Sequence, residues 1–192
     1  MPRAKEFDPD TVLEKAMDLF WTKGYEATSI KMLVSHMGIN RFSLYSTFGD
    51  KHQLFLGAME RYHQKTADAE ISILEASEDG IASIRRYFDA LIDRFTAEGG
   101  SKGCFMTNTT TELAPHDDAA KERTGAFLLQ MQAAFYHALV RAQSAGEIRE
   151  TRLNDYARFL TNTAQGLGVL AKISPSRDIL VSIVDVSIGA LR

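Results

Sequence analysis

Side chains able to do chemistry gather at three places in this 192-residue chain. The first is the run Arg41-Phe42-Ser43-Leu44-Tyr45-Ser46-Thr47-Phe48. Turned at about 100° per residue from Arg41, Leu44 and Phe48 fall near roughly 300° and 340° and face a core. Phe42, Ser46 and Ser43 fall at about 100°, 140° and 200°, on the opposite side, with Tyr45 and Thr47 on the flanks. So short a helix ordinarily exposes charge, whereas this one offers hydroxyls and an aromatic ring. Hydroxyls suit phosphate oxygens and an apolar surface suits thymine methyls, so the face has the chemistry of a DNA reader. The plainer alternative is a structural corner in which Phe42 packs on a neighbour. The second place is Cys104, which follows Gly103 and Lys102 at the expected start of a helix. The positive helix end and the nearby ammonium favour a thiolate there, while a lone cysteine can equally be a small buried hydrophobe. The third is His116-Asp117-Asp118, a possible metal ligand set that, directly after Pro115, reads better as the cap of the next helix.

Enzyme chemistry finds little support. The chain has no phosphate-cradling glycine loop and no His-Glu-x-x-His, and His36, His52 and His63 do not share one helical face with a carboxylate at metal spacing. We expect no enzymatic activity, no metal and no cofactor. A single cysteine leaves no internal disulfide and no cysteine-rich zinc site.

The elements that must position these groups read as helices. Apolar residues recur at spacings of three and four, sustained alternation is hard to find, and Asp10 to Ala114 contains no proline. Asp8 caps a first helix with Pro9 at its first position, and Val12, Leu13, Ala16, Leu19 and Phe20 form its inner stripe before Gly24 ends it. Ile30, Leu33, Val34 and Met37 define a short second helix from about Thr28, Gly38 stops it, and Asn40 caps a third that Gly49 closes. Asp50 followed by Gln53 resembles a capping box opening a long fourth helix through Tyr62. Further helices are expected near 81–97, 103–113, 117–145, 152–171 and 176–191, about nine in all, with breaks at Gly99 to Gly103 and at Ser174-Pro175. The two short helices joined through Gly38-Ile39-Asn40 have the size and turn of a helix-turn-helix.

Composition agrees with a globular chain: 45% hydrophobic and 24% charged residues supply a core, and no apolar run approaches the roughly 18 residues of a membrane span. We expect a cytoplasmic protein with no membrane association. The net charge of −3 divides unevenly, with nine Lys and Arg against eight Asp and Glu over residues 1–65 and thirteen against seventeen beyond. That weak asymmetry favours an anionic partner for the N-terminal part.

Gly24-Tyr25-Glu26-Ala27-Thr28-Ser29-Ile30, followed by the run from Gly38 through Leu44-Tyr45-Ser46-Thr47-Phe48-Gly49-Asp50-Lys51, resembles the TetR/AcrR family of repressors. The resemblance is close over residues 8 to 60 and rests beyond them on helix pattern and length. It implies an all-α fold with a helix-turn-helix DNA-binding domain over residues 1–50 and a helical ligand-binding and dimerisation domain over 51–192. It implies a homodimeric repressor on a palindromic double-stranded DNA operator, released by a small-molecule inducer, apolar or amphipathic in character. By position, Thr28 or Ser29, Ser43, Tyr45, Thr47 and Lys51 hold the DNA backbone, and Arg41, Phe42 and Ser46 approach base edges. Arg41 lies nearer the core side of the wheel, so its role rests on the resemblance and its reach. Arg3 and Lys5 could form a minor-groove arm or a solvated tail. Phe42 stands where many members have a small residue or proline.

The resemblance also implies dimerisation through the last two helices. Leu153, Tyr156, Leu160, Ala164, Leu167 and Val169 form the stripe of one, and Ile179, Leu180, Ile183, Val184 and Ile188 that of the other, with Ala164, Gly166 and Gly168 permitting close approach. The same stripes could instead fill the monomer core. Among the large soft side chains of the middle helices, Phe95, Phe105, Met131 and Phe135 are candidates for lining a ligand pocket. Some family members with a Gly-Cys at this helix start sense electrophiles or oxidants, and Gly103-Cys104 resembles them. The alternatives are therefore a plain ligand-binding helical module and a thiol-based sensor acting through Cys104.

Overall fold

A computed structural model describes residues 7–76, 78–99, 102–149, 151–173 and 176–191. Ten α-helices and one π turn appear among them, and no strand: α1 (Pro9–Lys23), α2 (Ile30–Met37), α3 (Arg41–Phe48), α4 (Lys51–Tyr62), a π turn (His63–Ala67), α5 (Asp68–Glu75), α6 (Ile81–Thr96), α7 (Phe105–Glu112), α8 (Asp118–Ser144), α9 (Leu153–Leu170) and α10 (Arg177–Gly189). Because α4 runs through the π turn into α5 without a break, these make nine rods, as the sequence leads one to expect. The expected Ser174-Pro175 break and the Arg3 and Lys5 arm lie outside the described residues.

The helix starts follow local chemistry. Asp8 accepts from the Asp10 and Thr11 N–H groups with Pro9 at the first helical position, Asn40 accepts from Ser43 N, and Asp50 accepts from Gln53 N. Asp117 caps α8 by accepting from Ala120 N at 2.8 Å, the capping role expected for the acid after His116.

Helices α1 to α3 form an N-terminal head that packs on α4, and α5 to α10 form the body, in which α8 pairs with α9 and α6 lies against α5, α8 and α10. One run of edge-on aromatic rings crosses from head to body. Phe55 meets Phe20 at 5.0 Å and Tyr25 at 4.9 Å on the head side and Phe105 at 5.5 Å on the body side. Phe105 in turn meets Tyr62 at 5.7 Å, which touches Trp21 at 5.0 Å. Edge-to-face pairs contribute about 0.5–1.5 kcal/mol each beyond the area they bury, so this run makes the head lean on the body at a defined angle.

Candidate nucleic-acid interface

Helix α3 is held by one buried side chain, Leu44, with Phe48 partly covered. Everything else on it faces outward to some degree. Phe42 is 81% exposed and Tyr45 43%, Arg41 and Ser46 are exposed, and Ser43 and Thr47 are half-buried. A Phe exposed to that extent loses the transfer free energy that burial would provide, so no packing need explains it; the structural-corner alternative for Phe42 fails here. Arg41, placed toward the core side by the wheel, is exposed: as the first residue of the helix it has no preceding turn against which to pack. Ser46 Oγ donates to the Ser43 carbonyl at 3.2 Å, which leaves its lone pairs facing outward.

At the start of α2 the two hydroxyl candidates separate. Thr28 is fully buried and its hydroxyl donates to the Gly24 carbonyl at 2.6 Å, so it tightens the α1–α2 loop from inside. Ser29 is exposed and caps α2, accepting from Met32 N. Of the two, Ser29 alone presents a surface hydroxyl, which corrects the candidate role of Thr28. Lys51 opens α4 with its ammonium 4.1 Å from the centroid of the Tyr25 ring. Burial, with the charges of Glu26, Asp50 and Asp117, raises the Tyr25 phenol above its ordinary range, so the ring stays neutral beneath the cation. Ser29, Arg41, Phe42, Tyr45, Ser46 and Lys51 thus all reach the surface of the head.

Residues 12–58 match the family described as bacterial regulatory proteins, tetR family, and residues 80–184 match the tetracyclin repressor-like C-terminal domain. The chain belongs to the TetR family. It is 36% identical to the uncharacterized HTH-type transcriptional regulator YezE of Bacillus subtilis over 193 residues, covering both chains fully. It is 34% identical to the HTH-type transcriptional repressor ComR of Escherichia coli over 184 residues, covering 94% of this chain and 87% of the other. Its fold is similar to that of the TetR family regulator CifR, solved as a cysteine mutant on a 26-base-pair double-strand operator DNA. There the TM-score is 0.89, the identity 27% and the coverage 99% of this chain and all of the other. The TetR-family chain is therefore a DNA-binding transcriptional regulator.

Its body holds a cavity of about 10 Å³, room for a single water, bounded by α4, the π turn, α5, α6, α8, α9 and the residue that precedes α7. Of the sequence candidates, Cys104, Phe95 and Met131 line it. Phe105 and Phe135 are buried but do not: Phe105 turns toward Phe55 and Tyr62, and Phe135 packs between Tyr87 and Phe88. Polar groups missed in the sequence share the wall. Arg94 makes a forked pair with Glu70 at 2.5 and 3.2 Å and donates to the Gly103 carbonyl at 3.1 Å. The Tyr62 hydroxyl lies 3.5 Å from Cys104 Sγ, and the Tyr87 hydroxyl 3.6 Å from Met131 Sδ. Burial pushes both phenols well up, and although burial disfavours the Arg94 charge, the paired Glu70 carboxylate outweighs it and the guanidinium stays protonated. The legible signal was Arg94 itself, a cation at the edge of the stripe Tyr87, Phe88, Leu91, Ile92 and Phe95.

Cys104 sits at the N-cap of α7 and is buried. Gly103 before it has φ +68°, and a Cβ there would collide with the Gly168 carbonyl oxygen. Gly168 is therefore spent on an approach within the protomer, while Gly166 faces open space. The stripes read as a dimer surface divide in the same way. Leu153, Leu160, Ala164, Leu167, Leu180, Val184 and Ile188 are buried inside the protomer, and Tyr156 and Ile183 are partly so. The exposed apolar residues on and beside α9 and α10 are Phe159, Val169, Leu170, Ile173, Ile179 and Val186. A helix apolar on two faces shows its stronger, inward stripe to a periodicity count, and the outward one is seen only when the first is packed away.

Proposed function

We propose that the protein is a homodimeric repressor that binds a palindromic double-stranded DNA operator in the cytoplasm and is released by a small molecule. The carrying observation is α3, a helix held by Leu44 that turns Arg41, Phe42, Tyr45 and Ser46 outward beside Lys51. Ser29, Ser43, Tyr45, Thr47 and Lys51 grip phosphates, while Arg41, Phe42 and Ser46 meet base edges in the major groove. The likeness to CifR on operator DNA and to the repressor ComR supports this reading. One short helix offers few base contacts, so two heads read two half-sites about one helical turn, roughly 34 Å, apart. The pairing surface is the outward apolar face of Phe159, Val169, Ile173, Ile179 and Val186. Residues 1–50 act as the head and 51–192 as the ligand-binding and dimerisation part.

The inducer enters among Tyr62, Arg94, Phe95, Cys104 and Met131. Because so small a cavity admits only a water, a ligand must push side chains aside, and that displacement is what gives it different affinities for the two states of the dimer. The mixed wall of ring, thioether, phenol and guanidinium suits an amphipathic molecule. A second reading, thiol sensing, is favoured by Cys104 facing that cavity 3.5 Å from a phenol. Selection of bound duplexes from a random library, followed by ultracentrifugation of the complex, tests the main reading. It expects a palindrome bound by a dimer; binding as a monomer, or retention independent of salt, refutes it.

A further inference from the structure

Glu112 stands where helix chemistry disfavours it. It is the last residue of α7, at the negative end of the helix, with no basic residue in that turn. Its carboxylate finds its donors in the other half of the molecule: it accepts from the backbone N–H of Tyr25 at 3.1 Å and of Glu26 at 2.9 Å, in the α1–α2 loop of the head. Gly24 completes the seat. Its φ is +85°, and a Cβ there would stand 2.7 Å from both Glu112 oxygens, so the loop is shaped around the carboxylate. A residue that breaks a local rule and is repaid by distant partners marks a place where the fold is doing more than folding.

Tyr25, whose backbone Glu112 holds, carries the Lys51 ammonium over its ring at 4.1 Å, and that ring is wedged edge-on against Phe55 at 4.9 Å and His52 at 6.4 Å. We propose that Glu112 is a positioning residue for DNA binding: by clamping the Tyr25 and Glu26 amides from the body it sets the ring platform on which Lys51 meets a DNA phosphate. The inference rests on the reading of Lys51 as a phosphate contact. It gives the body a hold, through Tyr25, on a DNA-contacting cation without touching the DNA itself, and it places that hold on the helix whose other end carries Cys104.

The test measures binding of the full-length protein to a random-sequence duplex as a function of salt. Lys51→Ala should lower the slope of log affinity against log salt by about 0.9 for each protomer. Glu112→Ala should weaken binding about three- to tenfold and lower the slope in the same sense, although removing a negative charge would by itself strengthen DNA binding. Glu112→Gln removes the same charge but keeps one acceptor oxygen, and it should recover part of the loss. Tyr25→Leu, with its backbone N–H intact, should reproduce the Glu112→Ala slope, and the double variant Glu112→Ala with Lys51→Ala should bind no worse than Lys51→Ala alone. A Glu112→Ala protein with the parental slope, losses that add in full, or Gln and Ala variants that bind alike would overturn the role of Glu112. An unchanged slope in Lys51→Ala would instead remove the phosphate reading on which it rests. Should Glu112→Ala not fold, Glu112→Gln and Tyr25→Leu decide the matter by the same slopes.

Discussion

Trp21 of α1 meets Tyr62 of α4 edge-on, ring centroids 5.0 Å apart at 76°, with the Arg94 guanidinium 5.9 Å and the Lys102 ammonium 5.5 Å from the Trp21 ring. Tyr62 and Arg94 both line the body cavity, so the head touches the wall of that cavity through an indole. Lys102 also pairs with Asp18 on α1, a second tie between the approach to Cys104 and the head.

Because Trp21 is the single tryptophan of the chain, its emission should report events in the cavity. A ligand that displaces Tyr62 or Arg94 alters the charges around the indole, and the emission wavelength or intensity should shift in step with loss of DNA affinity. Titration followed by both signals checks this. Ligands that release DNA while leaving the emission untouched would mean that release bypasses Trp21.

Substitutions on α3 should separate into two kinds on a selected operator. Phe42→Ala and Ser46→Ala should change which bases are preferred, by about 1–3 kcal/mol at the affected position, with little change in salt slope. Thr28→Val should instead lower stability without altering preference, since its hydroxyl bonds only inside the loop. Binding selections with each variant, set beside thermal melts, distinguish the two behaviours. A uniform loss on all sequences from Phe42→Ala would show that its ring does not face the bases.

Val186, 72% exposed on α10, and Ile173, 80% exposed just past α9, should lie in the contact between two copies. Val186→Glu should yield folded monomers at micromolar concentration with operator binding reduced at least tenfold, whereas a charge on the 68%-exposed Leu129 of α8 should leave the dimer intact. Sedimentation of the two variants provides the comparison.

Asp117 should supply a pH-dependent part of the stability. The Ala120 N–H lowers its pKa most, partial burial raises it, and the His52 ring 2.7 Å away lowers it again, leaving the carboxyl below its ordinary range. A depressed folded pKa stabilises the protein above the unfolded value, about 3.9, and that contribution is lost as pH falls through the folded value. Asp117→Ala should therefore cost about 1 kcal/mol at neutral pH and progressively less below about pH 4, as measured by denaturant unfolding at several pH values.

Much of the local architecture was legible along the chain. Period, caps and glycines mark nine helical rods because each depends on residues a few positions apart: Asp8 on Thr11, Asn40 on Ser43, Asp50 on Gln53. The outward face of α3 was legible for the same reason, since a wheel needs only one anchored residue, and Leu44 is that anchor. The extension of α4 through a π turn to Glu75 was not, because its polar run His63-Gln64-Lys65-Thr66 carries no apolar stripe of its own.

What the sequence by itself determined, then, is whatever acts within one helical turn or one loop: the elements, their ends, and the chemistry on the head's exposed helix. Only the tertiary structure decided between groups equivalent along the chain. It buried Thr28 and left Ser29 out, turned Leu160 inward and Val186 outward, and put Cys104 beside Tyr62 and Arg94. It also joined Glu112 to the Tyr25 amide 87 residues away. Such pairings depend on how whole helices pack, and packing is settled by the sum of many weak contacts that no local spacing records.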